Sequence, residues 1–264
     1  MAVPDVRALT ILYHDVVERD FDESGFPGAA AARYKFKRRE FEQHLSAMKA
    51  RTIAPAVAAS LQALSQGGRP FVFTVDDGGA SALYIATQLE QLGWRGVFFV
   101  TTDLIGKPAF LSPESICDLS RRGHTIGSHS CSHPYRMAQL PDARLDDEWQ
   151  RSVTVLSQIT GKPIETASVP GGYYSTRVAD AAARSGIRVL FNSEPTTRIH
   201  RQRDCLIVGR YNVYGGTTAA AAADLAAGAP IALFKQQVAW AAKKAIKTVA
   251  APIWDQARHR IFKS

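Results

Sequence analysis

The sequence predicts an α/β protein built as a distorted (β/α) barrel of about seven parallel strands. Two observations predict it. Short apolar runs rich in β-branched and aromatic residues alternate with helical segments almost from end to end, the pattern of parallel strands joined by crossover helices. Polar clusters follow nearly every run, and in barrels of this kind chemistry sits at the carboxyl ends of the strands. An open doubly wound sheet would share the alternation, but the polar clusters favour a barrel. At 264 residues the chain can bury the core that such a fold needs.

The strands are expected near positions 9, 71, 96, 125, 166, 187 and 205. The first, Leu9 to Tyr13, is followed by an irregular stretch over 16–35 with Gly25, Pro27 and Gly28, read as a long loop. Helical spacing of Phe41, Leu45 and Met48 predicts a helix from Phe36 to Ala50, and an Ala/Leu-rich segment predicts another over 55–66. Strand 71–76 leads to a helix over 80–92. Ser112-Pro113-Glu114 is a helix start, with a capping Ser, Pro at the first helical position and an acid in the first turn. That helix stops at Arg121-Arg122-Gly123. A long amphipathic helix over 141–160 ends at Gly161. Further helices are expected over 175–185, 217–227 and 231–249, and a last one after Pro252. Residues 1–228 are read as a catalytic domain and 229–264 as a basic amphipathic tail.

Charge is uneven along the chain. Residues 235–264 carry seven basic residues against one acidic, so they hold +6 of the net +8. The remainder is nearly neutral, which excludes a general nucleic-acid surface. Trp240, Ile246, Val249, Ile253, Trp254 and Ile261 are interleaved with Lys and Arg there. That composition suits a helix on an anionic membrane surface, or one packed on the barrel with a solvated basic face. No run of 18 apolar residues predicts a spanning helix, and the first residues lack the features of a signal peptide. A cytoplasmic location, peripheral to the inner membrane face, is expected. Cys117, Cys131 and Cys205 are too few and too scattered for a disulfide framework.

Three clusters could carry chemistry. The run Phe71 to Val75 drives into Asp76-Asp77-Gly78-Gly79. Adjacent carboxylates repel unless a cation or proton separates their roles, and glycines allow a sharp turn beside a ligand. The second cluster is His129-Ser130-Cys131-Ser132-His133. Two histidines at i and i+4 on one side of a helical turn can present two neutral nitrogens to one cation, with Asp77 as third ligand. The third is Ser168-Val169-Pro170-Gly171-Gly172-Tyr173, a rigid close-approach loop whose N–H groups could stabilise an oxyanion.

Together these stretches resemble the NodB-homology polysaccharide deacetylases, carbohydrate esterase family 4. The family's Thr-Phe-Asp-Asp-Gly motif is similar to Thr74-Val75-Asp76-Asp77-Gly78, its His-Ser/Thr-x-x-His motif to 129–133, and its Arg-x-Pro-x-Gly motif, in part, to Ser168-Val169-Pro170-Gly171-Gly172. The resemblance implies Asp76 as general base, Asp77, His129 and His133 as ligands of a divalent metal, and the Gly171 main-chain N–H in the oxyanion site. Zinc is the default for a His-rich donor set, and Mn, Co and Ni fit the same ligands.

Two departures from the family pattern matter. Ser168 stands where the family has an Arg that orients the base, and Arg210, after the last strand, is expected to replace it. The family's Leu-x-His motif, source of the general acid, is missing from the C-terminal third. Leu12-Tyr13-His14 at the end of the first strand supplies it instead, which implies a circularly permuted member with His14 as the acid. Asp15 beside it is a neighbouring anion or a solvated residue. His44, His124 and His200 are read as structural or solvated, and Cys131 as a small buried residue. The function so implied is metal-dependent removal of N-acetyl groups from an amino sugar in a bacterial exopolysaccharide or its precursor. The alternatives are an amide hydrolase acting on a cyclic imide, or a degenerate glycan-binding protein.

Overall fold

The computed structural model describes residues 7–51 and 69–242. The helix expected over 55–66 and the basic segment from 243 onward lie outside them. The centre is a curled, mostly parallel half-barrel sheet of nine strands. In chain order these are β1 (Leu9–Tyr13), β4 (Phe71–Val75), β5 (Val97–Val100), β6 (Thr125–Ser128), β7 (Thr166–Ser168), β8 (Val189–Phe191), β9 (Ile199–Gln202), β10 (Cys205–Val208) and β11 (Tyr211–Asn212). A separate pair, β2 (Val16–Val17) and β3 (Phe36–Lys37), lies between β1 and β4 in sequence. Across the main sheet the order is β11-β1-β4-β5-β6-β7-β8-β10-β9. Every pairing is parallel except β9 with β10. An antiparallel bridge between Arg7 and Arg198 brings the two sides of the curl together.

Period-two alternation builds the layers. On β4, Phe71, Phe73 and Val75 join the large core between sheet and helices, while Val72 points into the curl with Val97, Phe99, Val189, Phe191, Leu206 and Val208. Both faces are buried, so the strands read as unbroken apolar runs. The helices follow the expected signals. Ser112 caps Pro113–Arg121 by accepting from the Ser115 N–H at 3.2 Å. Gly161 ends Asp142–Thr160 in a left-handed conformation, φ 67°.

Nine strands replace the expected seven. β9 falls where no strand is expected, because His200, Arg201 and Gln202 hide its pattern; an antiparallel edge strand tolerates polar residues facing water. β11 is only two residues long, too short to show periodicity. The expected loop over 16–35 contains β2, a turn of 3-10 helix at Phe21–Glu23 and a short helix at Ala29–Ala32. Phe36 pairs with Val16, so the helix expected to begin there starts at Arg38.

Helical residues begin again at 230. Leu233 enters the core, and Gln236 satisfies both backbone groups of Asn212 on the edge strand β11, at 3.1 and 2.6 Å. No helix among the described residues is long and apolar enough to cross a membrane.

Gly127 on β6 offers a test of the packing. A Cβ there would lie 2.6 Å from the Phe99 ring and 2.9 Å from the Thr166 carbonyl oxygen. Gly127→Ala is expected to destabilise the fold by about 1–3 kcal/mol through overpacking, read from urea unfolding midpoints.

Candidate active site

Main-chain geometry at the end of β4 separates the two carboxylates. The Asp76 N–H donates to the Tyr13 carbonyl at 3.1 Å, continuing the sheet. Asp77 then turns into the left-handed region, φ 77°, followed by Gly78 at φ 78°. Gly78 packs against β5, where a Cβ would meet Val100 at 3.1 Å. Asp76 and Asp77 are both buried.

His129 and His133 arrive on the loop after β6. They do not occupy a helical turn as expected from their spacing. The loop is irregular, with left-handed Ser130 (φ 63°) and His133 (φ 55°), and it folds back so that the two rings lie 5.0 Å apart. His129 Nε2 is 3.3 Å from Asp77 Oδ1, and His133 Nε2 is 3.6 Å from the same oxygen. One ligand atom from each of the three residues lies within 4.8 Å of the other two, so they can hold one metal ion. The tautomer suits this. His129 Nδ1 donates to the Ser168 carbonyl at 2.9 Å, leaving Nε2 as the lone-pair nitrogen facing Asp77. Burial and the neighbouring imidazole push the His133 pKa down to about 4, which keeps it neutral. Burial opposes charge on His129 as well, but the Asp76 and Asp77 carboxylates outweigh it and hold its pKa above the ordinary value. Two imidazoles and a carboxylate fit a borderline divalent cation.

Behind Asp76 lies Arg210, fully buried. Its Nη1 and Nη2 donate to Asp76 Oδ1 and Oδ2 at 2.6 and 2.8 Å, a bidentate pair. Nη2 also donates to Ser168 Oγ at 2.7 Å, and Ser168 Oγ donates to Asp76 Oδ2 at 3.0 Å. Arg210 Nε reaches the Asn192 carbonyl at 2.9 Å. The charge absent at Ser168 is thus delivered from the far side of the sheet, and the Ser168 hydroxyl bridges Arg210 and Asp76. Burial would raise the Asp76 pKa, yet Arg210 and His129 outweigh it and hold the carboxyl below its usual range.

His14, Asp76, Asp77, His129, His133 and Gly171 all line one cavity of about 910 Å³. The His14 ring packs on Tyr34 at 4.6 Å, and its Nδ1 is buried without a hydrogen-bond partner among the described residues. Gly171 and Gly172 are left-handed, φ 59° and 69°; a Cβ on Gly172 would lie 2.7 Å from Ser193. Asp15 is not solvated. It is buried and accepts from Ser24 Oγ at 2.6 Å and Ser81 Oγ at 2.9 Å. Burial raises its pKa against those two hydrogen bonds, and the nearby Asp77 charge adds to the rise. Cys131 is buried, as expected. His44 is satisfied by the Tyr13 hydroxyl at 3.0 Å and the Thr217 carbonyl at 2.8 Å, and His124 by Gly96 N–H at 3.1 Å and Glu90 at 2.8 Å.

Residues 64–190 match the family described as polysaccharide deacetylase. The chain carries a polysaccharide deacetylase domain. Comparison with curated protein sequences finds no match. Among solved structures, the domain is similar to a polysaccharide deacetylase from Bacillus cereus, with a TM-score of 0.70 and 16% identity, covering 83% of this chain and 69% of that one. IcaB from Ammonifex degensii gives 0.64 and 21%, covering 84% and 97%, and the Streptococcus pyogenes deacetylase PplD in complex with acetate gives 0.66 and 17%, covering 81% and 96%. At these identities the similarity speaks for the fold. The matched domain supports a hydrolase acting on carbon–nitrogen bonds and, by class, a carbohydrate deacetylase.

Sequence reasoning missed Glu148, Lys35 and Ser81 around the deacetylase site. Glu148 left a faint signal: it shares a helix face with Leu145, Trp149, Ser152 and Leu156, all buried.

The Arg210–Asp76 pair has a measurable consequence. Removing one partner of a buried pair strands a charge, so Arg210→Ala is expected to lose about 3–5 kcal/mol in urea unfolding. A depressed folded pKa contributes stability that is present above the unfolded value, about 3.9, and lost as pH falls from there through the folded value. The wild type should show that acid loss, and Arg210→Ala should lack Asp76's share of it.

Proposed function

We propose that the protein removes N-acetyl groups from an amino sugar in an exopolysaccharide or its precursor, using a divalent metal. The observation that carries the reading is the convergence of Asp76, Asp77, His129, His133, His14 and Gly171 on one cavity. Asp77, His129 and His133 would hold the ion. Zinc suits these donors, and Mn, Co or Ni would be accepted by them. A cation bound there supplies Lewis acidity toward the acetamide carbonyl and the attacking water.

The chain's own residues do the rest. Asp76, kept ionised by Arg210, accepts a proton as water oxygen bonds to the acetyl carbon. The carbonyl π electrons move to oxygen, and the Gly171 main-chain N–H stabilises that negative charge. As the carbon–nitrogen bond breaks, His14 gives a proton to the departing nitrogen. Acetate and a free amine result. In this reading the strand bearing Leu12-Tyr13-His14 has moved from the end of the chain to its front. Support comes from β1 lying between β4 and the late strand β11.

Purified protein supplied with Zn2+ is expected to release acetate from N-acetylglucosamine oligomers. Chelation should abolish release, and Asp76→Asn and His14→Gln should each lower kcat by about 10²–10⁴-fold. Metal binding with no acetate release from oligomers, precursors or polymer would remove the proposal.

We further infer a cytoplasmic protein in peripheral contact with the inner membrane face. Ile231, Phe234 and Val238, at helical spacing, are exposed, and the sequence from 235 onward carries +6. An apolar stripe beside basic residues favours anionic lipid. Phe234→Asp is expected to reduce cosedimentation with phosphatidylglycerol vesicles, while acetate release from soluble oligomers stays unchanged.

A further inference from the structure

We propose that Glu148 is a positioning residue: it holds the His129–His133 loop in its folded-back shape and thereby sets the affinity of the site for metal. The inference rests on the reading of Asp77, His129 and His133 as metal ligands.

The loop cannot keep its shape through local preference. Ser130 and His133 both sit in the left-handed region, φ 63° and 55°. Non-glycine residues are strained there, and strain of this kind persists only where the surroundings over-determine it. Glu148 supplies that constraint. Oε2 accepts the N–H groups of Cys131 at 3.0 Å and Ser132 at 2.9 Å, and Oε1 accepts the Ser132 hydroxyl at 2.6 Å. All three bonds fall between the two histidines. One helical turn later, Ser152 Oγ meets Ser128 Oγ at 2.7 Å, and Ser128 Oγ accepts the Ser130 N–H at 3.1 Å. A single helix therefore grips the loop at its entrance and at its centre. On the opposite side, Thr102 N–H and Asp103 N–H donate to the Ser130 and Cys131 carbonyls at 3.2 and 3.0 Å.

Glu148 is 1% exposed and does not line the cavity, so it cannot touch substrate. A buried carboxylate is also an expensive way to gain stability, since a well-packed apolar residue serves as well or better. What a carboxylate does better is accept several hydrogen bonds in fixed directions. Here those bonds fix the backbone between two imidazoles whose Nε2 atoms must both face Asp77 Oδ1.

The test uses the full chain stripped of metal, with Zn2+ affinity read by competition with a chromophoric chelator and thermal midpoints recorded in parallel. Loss of such outer partners costs metal sites about 10–100-fold in affinity, and Glu148→Ala is expected to fall in that range. Glu148→Gln keeps one acceptor oxygen and should lose less, and it decides the matter if the alanine variant does not fold. Folded variants with lowered thermal midpoints but Zn2+ affinity within about twofold of wild type would overturn the proposal, because a merely structural role moves only the midpoint. If the wild type itself binds no Zn2+, the metal-site reading fails and takes this inference with it. A wild type that binds beside unaffected variants sinks the inference alone.

Discussion

The buried pair between Arg210 and Asp76 is the interaction on which the rest of the site depends. Both side chains are shielded from water, at 0% and 4% exposure, so neither charge is tolerable without the other. Asp76 directly follows β4, and Arg210 lies between β10 and β11. Their bond therefore ties the two flanks of the curl across its mouth. Ser168, at the end of β7, and the Asn192 carbonyl, just past β8, complete the set. Four strand ends are held together by one guanidinium. The same contact keeps Asp76 ionised, so fold closure and the charge on that carboxylate have a common origin.

Around this pair the walls of the cavity are fastened by buried polar groups. Lys35 Nζ donates to the carbonyls of Phe21, Ser24 and Phe26 at 2.5–2.6 Å, which orders the segment between β2 and β3. That segment brings the Phe26 ring to 4.8 Å from the His133 ring. Asp15 binds Ser24 and Ser81, linking the same segment to the turn after Asp77. Gly79 makes this approach feasible, since a Cβ there would lie 2.0 Å from Asp15 Oδ1. Loops lining the cavity are thus anchored from behind, where water cannot compete for the hydrogen bonds.

The carboxylate pair, the two histidines and the Pro-Gly-Gly turn were all legible, because each is local and each follows an apolar run that marks a strand end. Other parts were not. The strand at 199–202 carries His200 and Arg201 toward solvent on an edge, so hydrophobic alternation never appears there. Glu148 reads as one more acid on an amphipathic helix until its burial is known. The i, i+4 spacing of His129 and His133 pointed to the right pair for a reason that does not hold: the chain brings them together through two left-handed residues, not through a helical turn.

What the sequence by itself determined is the alternation of seven of the strands with helices and the chemistry waiting at the strand ends. Those follow from hydrophobic period and from residue types next to one another in the chain. The sequence pointed to Arg210 and His14, but tertiary structure decided that the Arg210 guanidinium meets both Asp76 oxygens, that His14 shares a cavity with residues more than a hundred positions away, and that Asp15 is buried and not solvated. The reason is physical: contacts between distant strand ends depend on how far the sheet curls, and no local pattern of residues encodes that angle.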